Sequence, residues 1–416
     1  MDSSASLKHE LLVTPRQRSL LLQLSESYRE RGHLEASGRC LMLLLHDEPG
    51  DPEALFWLSQ LGALTRESEA WVQLQRWFAD GLPSNPDQQS YLLYAQAHLH
   101  EKEQRWQDAF DLYDQANAAR KRALGLLNTD VVLYVEQASL MQHLDEMLHA
   151  RLAGIQSAQP AMASDWVSDA DSGEDLIFIV GLPRCGSTLV ETMLAQGAAV
   201  TALGELRTLP QAVRDSQLLE VLRGDRLEPS VLQQHLDQFR CAYRRDVPAV
   251  EGRQIDKTLI SFLYVGLILL AWPSAKVVHV FRQPFDQMLS AWKARFREGH
   301  HYSLEFGALV QLQIAYQRLM RYWHERYSDR LFLCEYETLI DHPKDMTEAL
   351  SRFCGITWSE RMLQPQHSRR LVRTASFQQV RQPIHRKSVS GWRRFEAQLQ
   401  PYCAQLEAAG LSLDGW

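Results

Sequence analysis

The sequence has no apolar run of the ~18 residues that a bilayer-crossing helix needs. Its most apolar stretch, FLYVGLILLAW at 262–272, is too short, so no membrane span is expected. The opening, MDSSASLKHELLVTPRQ, contains no apolar core of signal-peptide length. Cysteine is scarce and scattered: six residues, at 40, 185, 241, 334, 354 and 403, without a C-x-x-C pair. Such spacing fits neither a disulfide framework nor a zinc site, and a reducing cytoplasm is the expected setting. Positive charge is in deficit, with 44 Lys and Arg against 51 Asp and Glu and a net charge of -7. That argues against a general nucleic-acid binder while leaving room for a local basic pocket. What remains, 45% hydrophobic and 23% charged, is ordinary for a soluble globular protein. A chain of 416 residues is long enough for two domains or more.

The first ~150 residues nearly lack β-branched runs and read as helix throughout. They hint at a repeat: Asp51-Pro52 and Asn85-Pro86 lie 34 residues apart, as do Ala36 and Ala70. Thirty-four is the period of the tetratricopeptide helix pair. In EQRWQDAFDLYDQA, 103–116, Trp106, Ala109, Leu112 and Tyr113 make one apolar face. We therefore expect degenerate tetratricopeptide-like repeats over 1–156, the alternative being an unrelated helical bundle. Residues 157–174 are small, polar and acidic and read as a linker. From 175 to 416 strands alternate with helices: LIFIV (176–180), KVVHV (276–280) and RLFLC (330–334) are strands, and 303–327 and 343–353 are helical. The fold class predicted is α/β, a parallel sheet flanked by helices, preceded by an all-α domain. In such sheets ligands bind at the carboxyl ends of strands.

The first strand runs into Gly181-Leu182-Pro183-Arg184-Cys185-Gly186-Ser187-Thr188. This is the G-x-x-x-x-G spacing of a phosphate-binding loop, but Ser187 stands where the phosphate-gripping lysine belongs. Loop N–H groups and a helix N-terminus attract an anion, and Arg184 offers a fork of donors. The candidate partner strand, KVVHVF, runs into Arg282 and has no acid at its end to hold magnesium. A site of cations and hydroxyls suits a nucleotide carrying phosphate and sulfate.

GLPRCGSTLVETML resembles the phosphosulfate loop of sulfotransferases that use 3′-phosphoadenosine 5′-phosphosulfate (PAPS), giving PAP as product. The chain is similar to bacterial sulfotransferases with N-terminal tetratricopeptide repeats and, more distantly, to tyrosylprotein sulfotransferases. The resemblance covers roughly 175–400, with motifs in family order. It implies a P-loop-like sulfotransferase domain in which Arg184, Cys185, Gly186, Ser187 and Thr188 bind the 5′-phosphosulfate. It implies Arg282 and Ser290 as the 3′-phosphate pair, and Tyr336 near the nucleotide. Glu205, in a Gly-Glu-x-Arg element with Arg207, becomes the base that takes the acceptor's proton. Lys257, in QIDKTLI, becomes the cation that steadies the departing oxygen. Ser376, in TASFQQVRQPI, becomes a contact to the reacting sulfate. HRKSVSGWRRF, 385–395, resembles the loop that closes over the nucleotide, with Arg386 and Lys387 as cationic contacts and Trp392 packing nearby. Two departures stand out: Ala294 replaces a tyrosylprotein-enzyme Arg, with Lys293 or Arg295 as substitutes, and Gly391 replaces a Lys. His279 reads as a core histidine, and Asp286 as the start of a helix.

The function implied is transfer of a sulfuryl group from PAPS to a hydroxyl or phenol, without a metal. Peptide or protein acceptors reached through the repeats are among the candidates. A kinase or NTPase on the same loop is disfavoured by the missing lysine and acid. An inactive repeat-based adaptor is disfavoured by Glu205, Lys257, Arg282 and Ser290 all being kept.

Overall fold

A computed structural model describes residues 18–158, 171–224, 227–368 and 381–413. Among these, seven helices come first: α1 Arg18–Arg31, α2 Leu34–Asp47, α3 Pro52–Leu61, α4 Glu69–Asp80, α5 Pro86–Lys102, α6 Trp106–Ala123 and α7 Val131–Ala158. Helices α3 and α5 begin alike. Asp51 accepts the N–H of Ala54, Asn85 accepts those of Asp87 and Gln88, and proline fills the first helical position in both. The side chains satisfy amides that the helix leaves orphaned, and proline has none to lose. The two starts therefore stand 34 residues apart because the same local chemistry recurs there.

Packing divides this region at α5. One stripe of α5, Leu92, Ala95 and Leu99, closes a core with Leu41, Leu44, Leu55, Leu58 and Leu74 of α2–α4. The next stripe, Leu93, Tyr94 and Ala97, joins α6 and α7 to a core that continues into the second half of the chain through Trp292, Phe306 and Trp392. The 3.6-residue helical period allows one helix to serve both. Of the linker read at 157–174, residues 159–170 lie outside the described residues, and the core formed by α5–α7 includes residues on both sides of it. Helix α7 reaches Ala158, and Asp171 and Asp175 both accept from the guanidinium of Arg244 at 2.7 Å.

Five parallel strands follow: β1 Leu176–Val180, β2 Val200–Gly204, β3 Arg253–Asp256, β4 Lys276–Phe281 and β5 Leu331–Glu335. Their order is β2-β3-β1-β4-β5, with Phe178 beside Val277 and Val280 beside Cys334. Alternate β1 residues serve opposite faces. Phe178 and Val180 enter the core shared with α5–α7. Ile177 and Ile179 pack on the other face with Val190, Met193 and Leu350. A sheet buried on both faces explains a continuous apolar run. β2 and β3 were not anticipated. β2 is a half-buried edge strand, and β3 is four residues, RQID, flanked by charge. From β1 the chain goes first to one side of the sheet, then to the other, so the crevice lies above β1 and β4.

Candidate active site

β1 ends at the loop, and helix α8, Ser187–Leu194, begins immediately after it. Arg184 and Gly186 sit at φ 72° and 103°. At Gly186 a Cβ would fall 2.4 Å from the ring of Tyr336, so only glycine lets this ring close the loop from the end of β5. Ser187 and Thr188 are buried at the start of α8. Arg184 Nε donates to Ser290 Oγ at 3.0 Å. Arg282, the residue after β4, is buried with its guanidinium 5.0 Å from the Tyr336 ring centre. It donates to the carbonyl of Ser388 and lies 3.7 Å from Asp286 and 3.8 Å from Glu337, while its Nε has no hydrogen-bond partner. Burial, and then the charge of Arg282, push the Arg184 guanidinium down to about 10. Two cations gathered this way are what an anion would relieve. A cleft of about 510 Å³, part of it open to solvent, lies against Arg184, Gly186, Thr188, Arg282 and Tyr336 and against residues 382–385.

The second cluster comes from strand adjacency. β2 and β3 are neighbours, Gly204 pairs with Asp256, and the next residues are Glu205 and Lys257. Lys257 N–H donates to Gly204 O at 2.9 Å, and Lys257 Nζ donates to Glu205 Oε1 at 2.5 Å. Lys257 is 1% exposed and the Glu205 side chain 48%. A buried ammonium requires such a partner, while the open side of the carboxylate remains accessible to an acceptor. The buried Glu191 of α8 accepts the N–H of Gly204 at 3.0 Å, so the helix that starts at the loop also fixes the backbone just before Glu205. Burial pushes the neighbouring Asp256 up to about 6, against the hydroxyl and N–H of Thr258. Burial also raises the Cys185 thiol, opposed by Ser187 and by the charge of Lys257.

Residues 175–360 match the model of the sulfotransferase family. Protein-tyrosine sulfotransferase 2 of Gallus gallus is 26% identical over 240 residues, 52% of this chain and 62% of that protein. The second half of the chain is a distant member of the sulfotransferase family. An uncharacterised protein of Aquifex aeolicus is 31% identical over 244 residues, 54% of this chain and 31% of its own length. The chain thus spans less than two thirds of these relatives. Among solved structures, the sulfotransferase domain of the Synechococcus PCC 7002 olefin synthase aligns at TM-score 0.41 and 21% identity, covering 54% of this chain and 90% of that domain. A mouse sulfotransferase complexed with PAP aligns at TM-score 0.34 and 13% identity, covering 57% and 88%.

Within this sulfotransferase-family domain some expected residues lie elsewhere. Arg386 is exposed and pairs with Asp341 at 3.0 Å, and Lys387 is exposed. Neither lines the cleft, because the loop turns its Ser388 carbonyl to Arg282 and its Ser388 hydroxyl to Tyr336 Oη, 3.1 Å away. Lys293 and Arg295 do not replace the Arg missing at Ala294. Lys293 pairs with Glu101 at 2.6 Å, and Arg295 pairs with Asp87 at 2.7 Å and stacks 3.5 Å over Tyr91. Asp286 does more than start a helix. It is buried and accepts the N–H groups of Ser390 at 2.6 Å and Trp392 at 2.8 Å, which ties the C-terminal loop to helix Pro284–Trp292. Trp392 packs on Phe285, ring centres 5.2 Å apart. His279 is fully buried beside Tyr316 Oη, and burial lowers it to about 3. Ser376 lies outside the described residues. Among the described residues no group of three or more His, Cys, Asp or Glu is placed to hold a metal ion. Glu191 and Ser388 were missed from sequence. The buried position of Glu191 in an otherwise apolar helix start was the available signal; Ser388 had none.

Proposed function

We propose that this protein is a PAPS-dependent sulfotransferase acting on a hydroxyl or phenol. The observation that carries this is the presence, at the carboxyl ends of adjacent strands, of two neighbouring arginines and of a buried Lys257 paired with the exposed Glu205. The residues fit the nucleotide. Arg282 has a buried Nε without a hydrogen-bond partner, Arg184 is crowded by a like charge, and Gly186 lets the Tyr336 ring pack against the loop. PAPS, when bound, supplies a sulfuryl group carried on a phosphate leaving group. Arg184, the N–H groups of 185–188 and the hydroxyls of Ser187 and Thr188 would hold the 5′-phosphosulfate, with Ser376 as a further contact. Arg282 and Ser290 would hold the 3′-phosphate, beside Tyr336. Glu205 takes the acceptor's proton at its carboxylate, which the Lys257 ammonium aligns. The same Nζ then offers its charge to the departing oxygen. Strand β1 and helix α8 fix the loop, so little reorganisation is needed during transfer.

We further propose that the hairpins of α1–α6 are degenerate tetratricopeptide-like repeats and that a protein phenol is among the acceptors, in keeping with the protein-tyrosine sulfotransferases that the domain resembles. The proposed setting is the cytoplasm. No helix among the described residues is long and apolar enough to cross a membrane. Calorimetry decides the central reading: PAP should bind and raise the melting temperature by linkage, and ATP with magnesium should do so less. An absent response to PAP removes it.

A further inference from the structure

We propose that Arg381 is a positioning residue for the nucleotide. Fastened to the end of α1, it holds residues 382–385 against the cleft, so that the first helical hairpin sets the affinity for PAPS. This rests on reading the cleft as the PAPS site and names a control on it from the other half of the chain.

Helix α1 ends in a turn of defined geometry. Gly32, at φ 82°, donates its N–H to the carbonyl of Arg29 at 3.0 Å, and His33 donates to that of Tyr28 at 2.9 Å. A left-handed glycine just past a helix with these two bonds is a Schellman turn. The next carbonyl, that of Glu30, lies at the negative end of the helix dipole, where a cation is favoured. Arg381 supplies that cation from 351 residues away: its Nη2 donates to the Glu30 carbonyl at 3.2 Å. Nη1 of the same guanidinium donates to the carbonyl of Ser368. Gly32 is part of the seat. A Cβ there would fall 3.0 Å from Arg381 Nε, so glycine serves both the turn and the close approach of the guanidinium.

The residues that follow Arg381 directly are the ones that face the cleft. Gln382, Pro383, Ile384 and His385 line it together with Arg184, Arg282 and Tyr336. The loop they begin is pinned at its far end, where the buried Asp286 accepts the N–H groups of Ser390 and Trp392. Arg381 pins the near end. A loop held at both ends has less freedom to lose when a nucleotide arrives. The near anchor belongs to a helix whose own packing is elsewhere, since Leu21 of α1 lies in the core closed by α2–α5. Through the Arg381 side chain the first hairpin and the cleft are joined, and by reciprocity a bound nucleotide steadies the turn after α1.

The test uses the full chain and PAP. Arg381→Ala should weaken PAP in calorimetry by about tenfold, the order expected for losing hydrogen bonds made by a charged group. With PAPS and 4-nitrophenol, KM for PAPS should rise in step while kcat at saturating PAPS does not fall, because Glu205 and Lys257 are untouched. Arg381→Lys returns a cation to the helix end and should bring PAP affinity to within about threefold of wild type. Gly32→Ala sets a methyl group against the guanidinium. It should weaken PAP by about fivefold alone and add nothing to Arg381→Ala, a coupling that a double-mutant cycle reads. PAP should also slow amide hydrogen exchange at Gly32 and His33 in the wild type and not in Arg381→Ala. Unchanged PAP affinity in Arg381→Ala, with a lowered melting temperature, would make the contact a structural clasp only and overturns the proposal. So do fully additive effects of Gly32→Ala and Arg381→Ala. Failure of the wild type to bind PAP would refute the sulfotransferase reading instead, and the same calorimetry shows that separately.

Discussion

Two regions of this molecule hold their charges differently. Where α5 and α6 meet the segment after helix Pro284–Trp292, opposite charges pair off. Lys293 meets Glu101, Arg295 meets Asp87, Arg120 also reaches Asp87, Lys121 meets Glu305 and Arg297 meets Glu26. Asn117 adds a hydrogen bond to the Trp292 carbonyl at 3.1 Å, and Phe110 packs on the Trp292 ring at 4.6 Å. At the carboxyl ends of β1 and β4 the pairing is looser: Arg184 and Arg282 crowd one another, and Asp286 and Glu337 stand 3.7 and 3.8 Å from Arg282 without a hydrogen bond to it. Matched, hydrogen-bonded charges over a shared apolar core secure a joint. Like charges held close cost stability until an anion arrives. The segment at 293–297 shows the difference within a few residues of Ser290. It carries three cations, and the helical region takes up all of them, Lys293, Arg295 and Arg297.

Substitutions on either side should separate a chemical role from a structural one. The largest effect is expected at Glu205. Glu205→Gln still accepts from Lys257 Nζ but takes no proton, so kcat should fall by roughly 10²–10⁴-fold. PAP affinity should stay within about threefold, because the carboxylate faces the acceptor. Steady-state rates on 4-nitrophenol beside PAP titrations read this, and wild-type turnover ends the assignment of Glu205 as base. Next comes Arg282→Ala. Losing a charge-assisted phosphate contact should weaken PAP by about 100-fold. Adenosine 5′-phosphosulfate, which lacks the 3′-phosphate, should be nearly indifferent. Unchanged PAP calorimetry would show that the crowded arginines are not the anion site.

A smaller effect of another kind is expected at Asp87. Asp87→Ala leaves Arg120 and Arg295 without this carboxylate and should lower the melting temperature by about 3–6 °C. PAP affinity should be unaltered. A drop in PAP affinity without a loss of stability would show that the joint regulates the nucleotide site and does not merely secure it. The smallest effect is expected at Arg386. Its pair with Asp341 is solvent-exposed, so Arg386→Ala should change PAP affinity by no more than about twofold. A loss comparable to that of Arg282→Ala would return Arg386 to the cleft.

Local chemistry was legible. The β1–loop–α8 unit, the 34-residue recurrence of Asp51-Pro52 and Asn85-Pro86, and strands β4 and β5 were all visible, because each rests on neighbours in sequence. β2 and β3 were hidden by brevity and edge exposure, and with them the reason why Glu205 meets Lys257. Residue types in family order suggested both groups, but only the pairing of Gly204 with Asp256 puts them 2.5 Å apart. Composition suggested a linker at 157–174, most of which lies outside the described residues, while the apolar core of α5–α7 continues into the second half of the chain. A polar stretch reports solvent contact and does not report where apolar faces meet.

By itself the sequence determined that a strand would deliver a lysine-free, arginine-bearing loop to the start of a helix. Gly186, Arg184 and the apolar LIFIV run are decided within a dozen residues, and turn sterics with strand burial allow little else there. Tertiary structure alone decided which cations serve that loop. Arg282 reaches it because β4 lies beside β1, whereas Lys293, Arg295 and Arg386 find carboxylates on α5 and at Asp341 first. A cation's partner is the nearest well-placed anion in space, and in this fold those anions lie 45 to 208 residues away along the chain.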